Sequence, residues 1–455
     1  MNLITTHPLK DTLRTLQGGA VARGDIFSRQ ESRVRSYSRN FPRVFARADG
    51  AYIYDEDGKA YLDFLAGAGS LNYGHNHPVL RDALVGYINE YGIAHSLDLH
   101  TSAKADFLDR LETRVLRPRA LSYVAQFTGP TGANSVEAAL KLARKFTGRR
   151  SVVTFTNGFH GVTLGALAMT GNSHHRGGAG AELHGAVRMP YDGYLGAEVD
   201  SLQYLEKSLD DPSSGIDRPA AVIVETVQGE GGLNVASAPW MRKLQALCRE
   251  HGILMIVDDI QAGCGRTGHF FSFEEMGIQP DLVTLSKSLS GMGLPFAVLL
   301  INRNLDVWKP GEHNGTFRGN NHAFVTAAKM LDHFWSNDEF AADVRRKALI
   351  MTERLSRLAA RFSGSIRVKG RGFMQGISFD RPEQAAAVSR ECWMRSMIIE
   401  TSGPHDEVVK CLCPLVIADA DLHRGLNILE ESVTAVLTRK NIERRRIVGG
   451  ERGLE

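Results

Sequence analysis

Short apolar runs rich in β-branched residues recur between longer amphipathic stretches over residues 76–325: Val152–Phe155, Ala221–Glu225, Leu254–Val257, Leu282–Leu285 and Ala297–Ile301. Runs this short and this uniformly apolar read as strands buried on both faces, and strands alternating with helices build a mostly parallel sheet covered on both sides. An α/β domain is therefore expected over 76–325. Its flanks read differently. Tyr52–Phe64 alternates apolar and polar residues around Glu56, Asp57 and Gly58, the pattern of a β-hairpin, and residues 1–75 are assigned to an N-terminal segment that contributes to a smaller domain. Helix-forming residues dominate 324–335 and 338–362, so 326–438 is read as a second, smaller α+β domain. The basic stretch 439–455, with Arg444, Arg445 and Arg446 and no apolar periodicity, is read as a tail that frays.

Composition removes several functions. The 54 Lys and Arg against 51 Asp and Glu leave a net charge of +3, too weak a field to expect nucleic acid or an acidic membrane as partner. Five cysteines without a C-x-x-C pair signal neither a disulfide framework nor a zinc site, so no metal is expected and a reducing cytoplasm fits. No basic stretch precedes an apolar one at the start, and the apolar run Leu294–Ile301 is interrupted by Pro295, so neither export nor membrane insertion is expected. Small molecules remain as substrates.

Ligands of parallel sheets bind beyond the carboxyl ends of the strands, and four groups stand there. The run from Leu254 ends in Asp258 and Asp259; an acid in that place serves as a helix cap, a metal ligand or the partner of a buried cation. The run from Leu282 ends in Lys287 between Ser286 and Ser288, where burial lowers an amine's pKa toward the nucleophilic form, although a lone Ser-Lys-Ser is more often surface. Thr131, Gly132 and Ala133 open an amphipathic helix whose free N–H groups suit a phosphate. Phe159, with His160 and Gly161, offers a ring at the same edge. Phosphate cup, aromatic face, acid and amine together fit one aromatic phosphate cofactor.

The order Thr131–Asn134, Phe159–Gly161, Glu225 with Gly229–Gly232, Asp258–Gly268, Ser286–Lys287 and Gly315–Thr316 resembles the signature of class III pyridoxal-phosphate aminotransferases over roughly residues 30 to 435. The resemblance implies a fold type I (aspartate-aminotransferase-like) α/β protein, pyridoxal 5′-phosphate as cofactor, and a homodimer or higher oligomer with shared active sites. It implies that Lys287 forms the Schiff base with the cofactor and shuttles the proton, and that Asp258 pairs with the pyridine nitrogen. It further places Gln261 on the ring hydroxyl, Phe159 and Ile260 on the two ring faces, and the phosphate on Gly132 and Ala133, with Thr131 near and Thr316 reaching in from the second subunit.

Two departures narrow the substrate. Where many relatives carry Phe-His-Gly-Arg, position 162 is Val, and the C-terminal carboxylate-binding arginine of the family aligns with Lys410, a point charge in place of a bidentate fork. Val34–Tyr37, Leu65–His75, Thr226–Ser237, Val307–Asn321 and Glu400–Pro404 resemble instead the subgroup of ectoine-pathway diaminobutyrate–2-oxoglutarate aminotransferases. That implies amino transfer from L-glutamate to L-aspartate 4-semialdehyde through alternating pyridoxal and pyridoxamine forms of the cofactor. Glu230, Arg318 and Lys410 are the candidate substrate contacts, with a Glu230–Lys410 pair as a gate. An aminomutase, a decarboxylase, a transaminase for another diamine or aldehyde, and a non-catalytic homologue are the competing readings.

Overall fold

The computed structural model describes residues 23–450, with side chains from 26 to 438, so the side chains of the basic stretch 439–455 lie outside the described residues. The described residues form two compact units, one of 23–47 with 53–60, the other of 48–52 with 61–450. In the first, helix Arg23–Gln30 is followed by Arg35, whose guanidinium donates to the carbonyls of Phe27 and Glu31 at 3.1 and 3.2 Å. The expected hairpin turn is present: Gly58, at φ +81°, donates its N–H to the Asp55 carbonyl at 3.0 Å, between strands Tyr52–Asp55 and Ala60–Asp63.

The second unit is built on a seven-stranded sheet. Its strands are Tyr123–Phe127 (β1), Val152–Phe155 (β2), Ala186–Met189 (β3), Ala221–Val224 (β4), Leu254–Asp258 (β5), Leu282–Leu285 (β6) and Val298–Asn302 (β7), in the order β1-β7-β6-β5-β4-β2-β3. β6, β5, β4, β2 and β3 run parallel, and β7 is antiparallel to both of its neighbours. The five runs marked in the sequence are all strands. β1 and β3 were not marked, because they are the two edges: with Gln126 in one and Arg188 in the other, they lack the continuous apolar run that burial on both faces demands.

Alternation sorts the sheet into two faces. Ile223 and Ile256 join Val136, Leu140 and Ala143 of helix α1 (Gly132–Thr147) in one cluster, while Val222, Val224, Met255 and Val257 pack with Leu244 and Leu247 of α2 (Ala238–Glu250) in another. Farther along, strands Ile366–Arg371 (β8), Met374–Phe379 (β9), Glu400–Ser402 (β10) and Val408–Cys411 (β11) form a four-stranded antiparallel sheet in the order β8-β9-β11-β10. Helices Glu339–Arg361 and Asp419–Gly450 share its core through Met351, Leu355, Leu426 and Leu429. Among the described residues no helix is long and apolar enough to cross a membrane.

A buried arginine ties distant segments together. Arg266, fully buried, donates to the Cys413 carbonyl at 2.7 Å, to the Phe373 carbonyl at 3.4 Å and to Asn72 Oδ1, while Asn72 Nδ2 reaches the Cys264 carbonyl at 2.9 Å. Burial pulls its pKa down to about 10, which still leaves it charged at neutral pH. Arg266→Met should strand those acceptors in a dry interior and lower stability by about 2–4 kcal/mol. The shift of the urea midpoint checks this.

Candidate active site

β1 is antiparallel to β7, and β7 to β6, so β1 points the same way as the parallel strands. Six strands therefore end on one edge, where a ligand is expected. Beyond β1 begins α1, capped by Thr131, whose hydroxyl accepts the Asn134 N–H. Phe159 and His160 follow β2, Glu225 and Glu230 follow β4, Ile260 and Gln261 follow β5, and Lys287 follows β6. One cavity is lined by Gly132, Ala133, Phe159, Asp258, Ile260, Gln261 and Lys287, together with His160, Gly161, Glu225 and Glu230.

Lys287 stands at φ +45°, a left-handed conformation that costs energy for any residue with a side chain. Its neighbours hold it there. Ser286 Oγ donates to the Phe296 carbonyl at 2.7 Å, and Ser288 Oγ donates to the Gly69 carbonyl at 2.8 Å while accepting the Asn72 N–H at 3.1 Å. Burial drives the Lys287 amine below its ordinary pKa, opposed by Glu230 and aided by Lys410. A depressed amine in a cavity is a nucleophile and a base.

The two adjacent acids have opposite fates, because successive strand residues face opposite sides. Asp258 accepts from Thr284 Oγ1 at 3.1 Å and lies 2.7 Å from His160 Nδ1. Burial works against a charge on that imidazole, but the hydrogen bond to Asp258 and its charge, with Glu225 behind, hold the His160 pKa above its usual value. Glu225, pushed up by burial and drawn down by His160, accepts the N–H groups of Phe159 at 3.0 Å and Gly229 at 3.2 Å. Asp259 turns away into the core, where burial raises its carboxyl to about 7 and the Ser272 N–H donates to Oδ2 at 3.1 Å.

A second group of charges closes the cavity. Lys410, fully buried, lies 3.0 Å from Glu230 Oε1, 3.0 Å from Glu400 Oε1 and 3.4 Å from the Gly229 carbonyl. Burial opposes its charge, yet the two carboxylates hold its pKa above the ordinary lysine value. Glu230 also accepts from Gln261 Nε2 at 3.1 Å; although burial raises its carboxyl, Lys410 and Lys287 bring it down to about 2.

The model of the class-III aminotransferases matches residues 34–433. The chain belongs to this family. It is 57% identical over 413 residues to the diaminobutyrate–2-oxoglutarate transaminase of Vibrio parahaemolyticus, covering 90% of this chain and 98% of that one. It is 56% identical over 411 residues to the enzyme of the same name from Halomonas elongata, covering 90% and 98%. Its fold matches the crystal structure of Toxoplasma gondii ornithine aminotransferase with a TM-score of 0.81 at 25% identity, over 96% of this chain and 100% of that one, and a second structure of that enzyme carries pyridoxal phosphate in its active site. The fold is thus the type I α/β fold, and the cofactor of this class III aminotransferase is pyridoxal 5′-phosphate.

The residues present fit that group. Gln261 Oε1 is buried with no hydrogen-bond partner among the described residues, as an amide awaiting a ligand hydroxyl would be. Glycine is required around it: a Cβ on Gly229 would stand 1.8 Å from Gln261 Oε1, and one on Gly132 2.9 Å from Ile260 Cδ1. Of the other marked residues, Thr131 caps the helix at the cavity rim, while Thr316 is exposed and lies outside the lining. Arg318 is also outside it, 3.2 Å from Asn314 Oδ1 and 3.9 Å from Asp98 Oδ2. Lys410 stands behind Glu230. The sequence reading did not mark Glu225, Thr284 or Glu400 as functional; the signal was a carboxylate directly after a buried run for Glu225, and nothing local for the others.

Lys287→Ala should remove the absorbance band of the covalently held cofactor, leaving at most that of the free aldehyde, and cost at least the ~10²–10⁴-fold of acid–base catalysis. Spectra and single-turnover rates measure both. Asp259 is raised in the fold relative to the unfolded chain, so it favours folding below the ordinary aspartate pKa, and that contribution is lost as pH rises through about 7. Asp259→Asn should flatten the fall in stability from pH 4 to pH 8, measured as urea midpoints at several pH values.

Proposed function

We propose that this protein transfers the amino group of L-glutamate to L-aspartate 4-semialdehyde, giving L-2,4-diaminobutyrate and 2-oxoglutarate. The observation that carries this is the joint one of a cavity holding Lys287, Asp258 and Gln261 and relatives above 50% identity named for that reaction. Pyridoxal phosphate, when bound, supplies an electron-accepting ring that lets the amino group leave one substrate and be handed to the next. Lys287 Nζ holds the cofactor, then accepts and returns the proton at the substrate carbon. Asp258, oriented by His160 and Thr284, holds the proton on the ring nitrogen. Gln261 Oε1 would accept the ring hydroxyl, Phe159 and Ile260 would pack against the ring, and the first N–H groups of α1 at Gly132 and Ala133 would hold the phosphate at the positive end of the helix.

The two half-reactions place charge differently. Glutamate carries a carboxylate beside its reacting carbon and another at its far end, whereas the semialdehyde carries its ammonium and carboxylate together at the far end. The Glu230–Lys410 pair, 3.0 Å apart at the cavity wall, is suited to open for one and close for the other. This reading extends to a homodimer with shared sites, in which the exposed Thr316 serves the neighbouring cavity and Arg318 lies near the same junction. It extends also to work in the cytoplasm, with ectoine-type synthesis as a destination of the product.

An absorbance titration tests the reaction. L-glutamate alone should bleach the band of the bound cofactor, and L-aspartate 4-semialdehyde should restore it with formation of diaminobutyrate. Bleaching without restoration would overturn the acceptor, and no response to glutamate would overturn aminotransfer.

A further inference from the structure

The two proposed substrates share one feature: a carboxylate three carbon–carbon bonds from the reacting carbon, in glutamate and in the semialdehyde alike. No guanidinium waits for it. Val162 stands exposed, Lys410 is already engaged by Glu230 and Glu400 at 3.0 Å each, and among the described residues no arginine lines the cofactor cavity or the cavity beside it.

That second cavity, of about 270 Å³, meets the first at Phe159 and Glu230, which line both. It is many times larger than one water requires. Ser402 lies on its lining, 3% exposed, and its hydroxyl has no hydrogen-bond partner among the described residues. A buried hydroxyl left in that state costs free energy until a ligand or water meets it. The strand ladder sets its place. Ser402 follows Glu400 by two residues in β10, so the two side chains share a face of the sheet with Lys410, which is paired opposite Glu400. The Gly403 N–H donates to the Glu230 carbonyl at 3.0 Å and ties this end of β10 to the turn that carries Glu230. Across the cavity, a Cβ on Gly231 would stand 2.1 Å from the Asn157 carbonyl oxygen, so glycine keeps that wall close.

We infer that the second cavity is the subsite for the far-end carboxylate of both substrates, and that Ser402 Oγ donates a hydrogen bond to it. The inference rests on the aminotransfer proposed above and names where its substrates are anchored. Asn172 lines the same cavity, and Ser173, His175 and His405 stand at its exposed rim. Two carboxylates also face it. Glu230 is answered by Lys410 at 3.0 Å and by the charge of Lys287, while Asp406 lies at the exposed rim, where water screens it. An anchor common to both substrates brings either reacting carbon to the same point, so one cavity serves both half-reactions.

Two pairs of amino donors isolate the carboxylate: L-glutamate with L-2-aminobutyrate, and L-2,4-diaminobutyrate with 1,3-diaminopropane, the second of each lacking it. The intact holoenzyme, followed by cofactor absorbance, should favour the first of each pair. In Ser402→Ala, KM for glutamate and for diaminobutyrate should both rise by roughly ten- to a hundredfold, the worth of a hydrogen bond to a charged group. KM for the other two donors should stay as it was, and kcat should change far less. Because the hydroxyl has no partner in the protein, its removal should leave the urea midpoint unchanged or raise it. A structural role would lower the midpoint and move all four KM values together, which would overturn the inference. A variant indistinguishable from the intact enzyme would overturn it too, since the hydroxyl would then meet water only. A rise confined to one of the two substrates would overturn the shared subsite while leaving aminotransfer standing. Should Ser402→Ala not fold, Ser173→Trp, at an exposed position on the same lining, fills the cavity and must produce the same split within each pair; without the split the inference falls. Failure of both glutamate and diaminobutyrate to react with the intact enzyme would overturn the proposed reaction and this inference with it.

Discussion

An amine can act as nucleophile near neutral pH when it is taken out of water, and removing it from water obliges every charge around it to find a partner inside the protein. Lys287 is held in that condition. Two networks answer the obligation: Asp258 with His160, Thr284 and Glu225 on one side, and Glu230 with Gln261, Lys410 and Glu400 on the other. Neither offers much net stability, because the desolvation of buried ions consumes most of their mutual attraction. Their worth lies in orientation. Asp258 is bonded by His160, Thr284 Oγ1 and the Ile260 N–H before any ligand arrives, so its carboxylate is fixed in place for a further partner.

The sheet makes this convergence possible. A strand buried on both faces carries few polar side chains along its length, Thr284 of β6 being one that serves Asp258, so most of its chemistry collects at its end. Five of the six strands that end on one edge bring Gly132, Phe159, Glu225, Asp258 and Lys287 together although more than 150 positions separate the first from the last. Local strain is concentrated at the same edge. Lys287 keeps its left-handed backbone because Ser286 and Ser288 are bonded to separate segments at Phe296 and Gly69, which turns the unremarkable Ser-Lys-Ser triplet into a clamp.

That distinction explains what could be read in advance. Central strands announce themselves because burial on two faces leaves no choice of residue, and the residues closing them, Asp258 and Lys287, stand out as polar breaks in apolar runs. Edge strands β1 and β3 obey a weaker rule and carry Gln126 and Arg188 without penalty. Of the cavity-lining positions Phe159, Ile260 and Gln261, the first was legible from its place after a buried run and the other two through family resemblance, since no spacing rule links them. The pairing of Glu400 with Lys410 was not legible, because it depends on the β10–β11 register that sets them opposite each other. Register is a property of two strands, and neither strand states it alone.

The lysine at 410 also has a geometric reason. An ammonium has three N–H donors, and here three acceptors surround it: Glu230 Oε1, Glu400 Oε1 and the Gly229 carbonyl. A guanidinium in the same place would present five donors in a plane, and a buried site lined this way would leave some of them unsatisfied. Lys410 donates to the Gly229 carbonyl and to Glu230 Oε1 and forms an ion pair with Glu400 Oε1, and of these partners only Glu230 also lines the cavity. Were Glu230 to withdraw, as the proposed gate requires, one N–H would open to a substrate carboxylate oxygen. A wider fork would bind a carboxylate more firmly and release it less readily. The narrower cation suits a cavity that must accept a dicarboxylate and a diamine in turn.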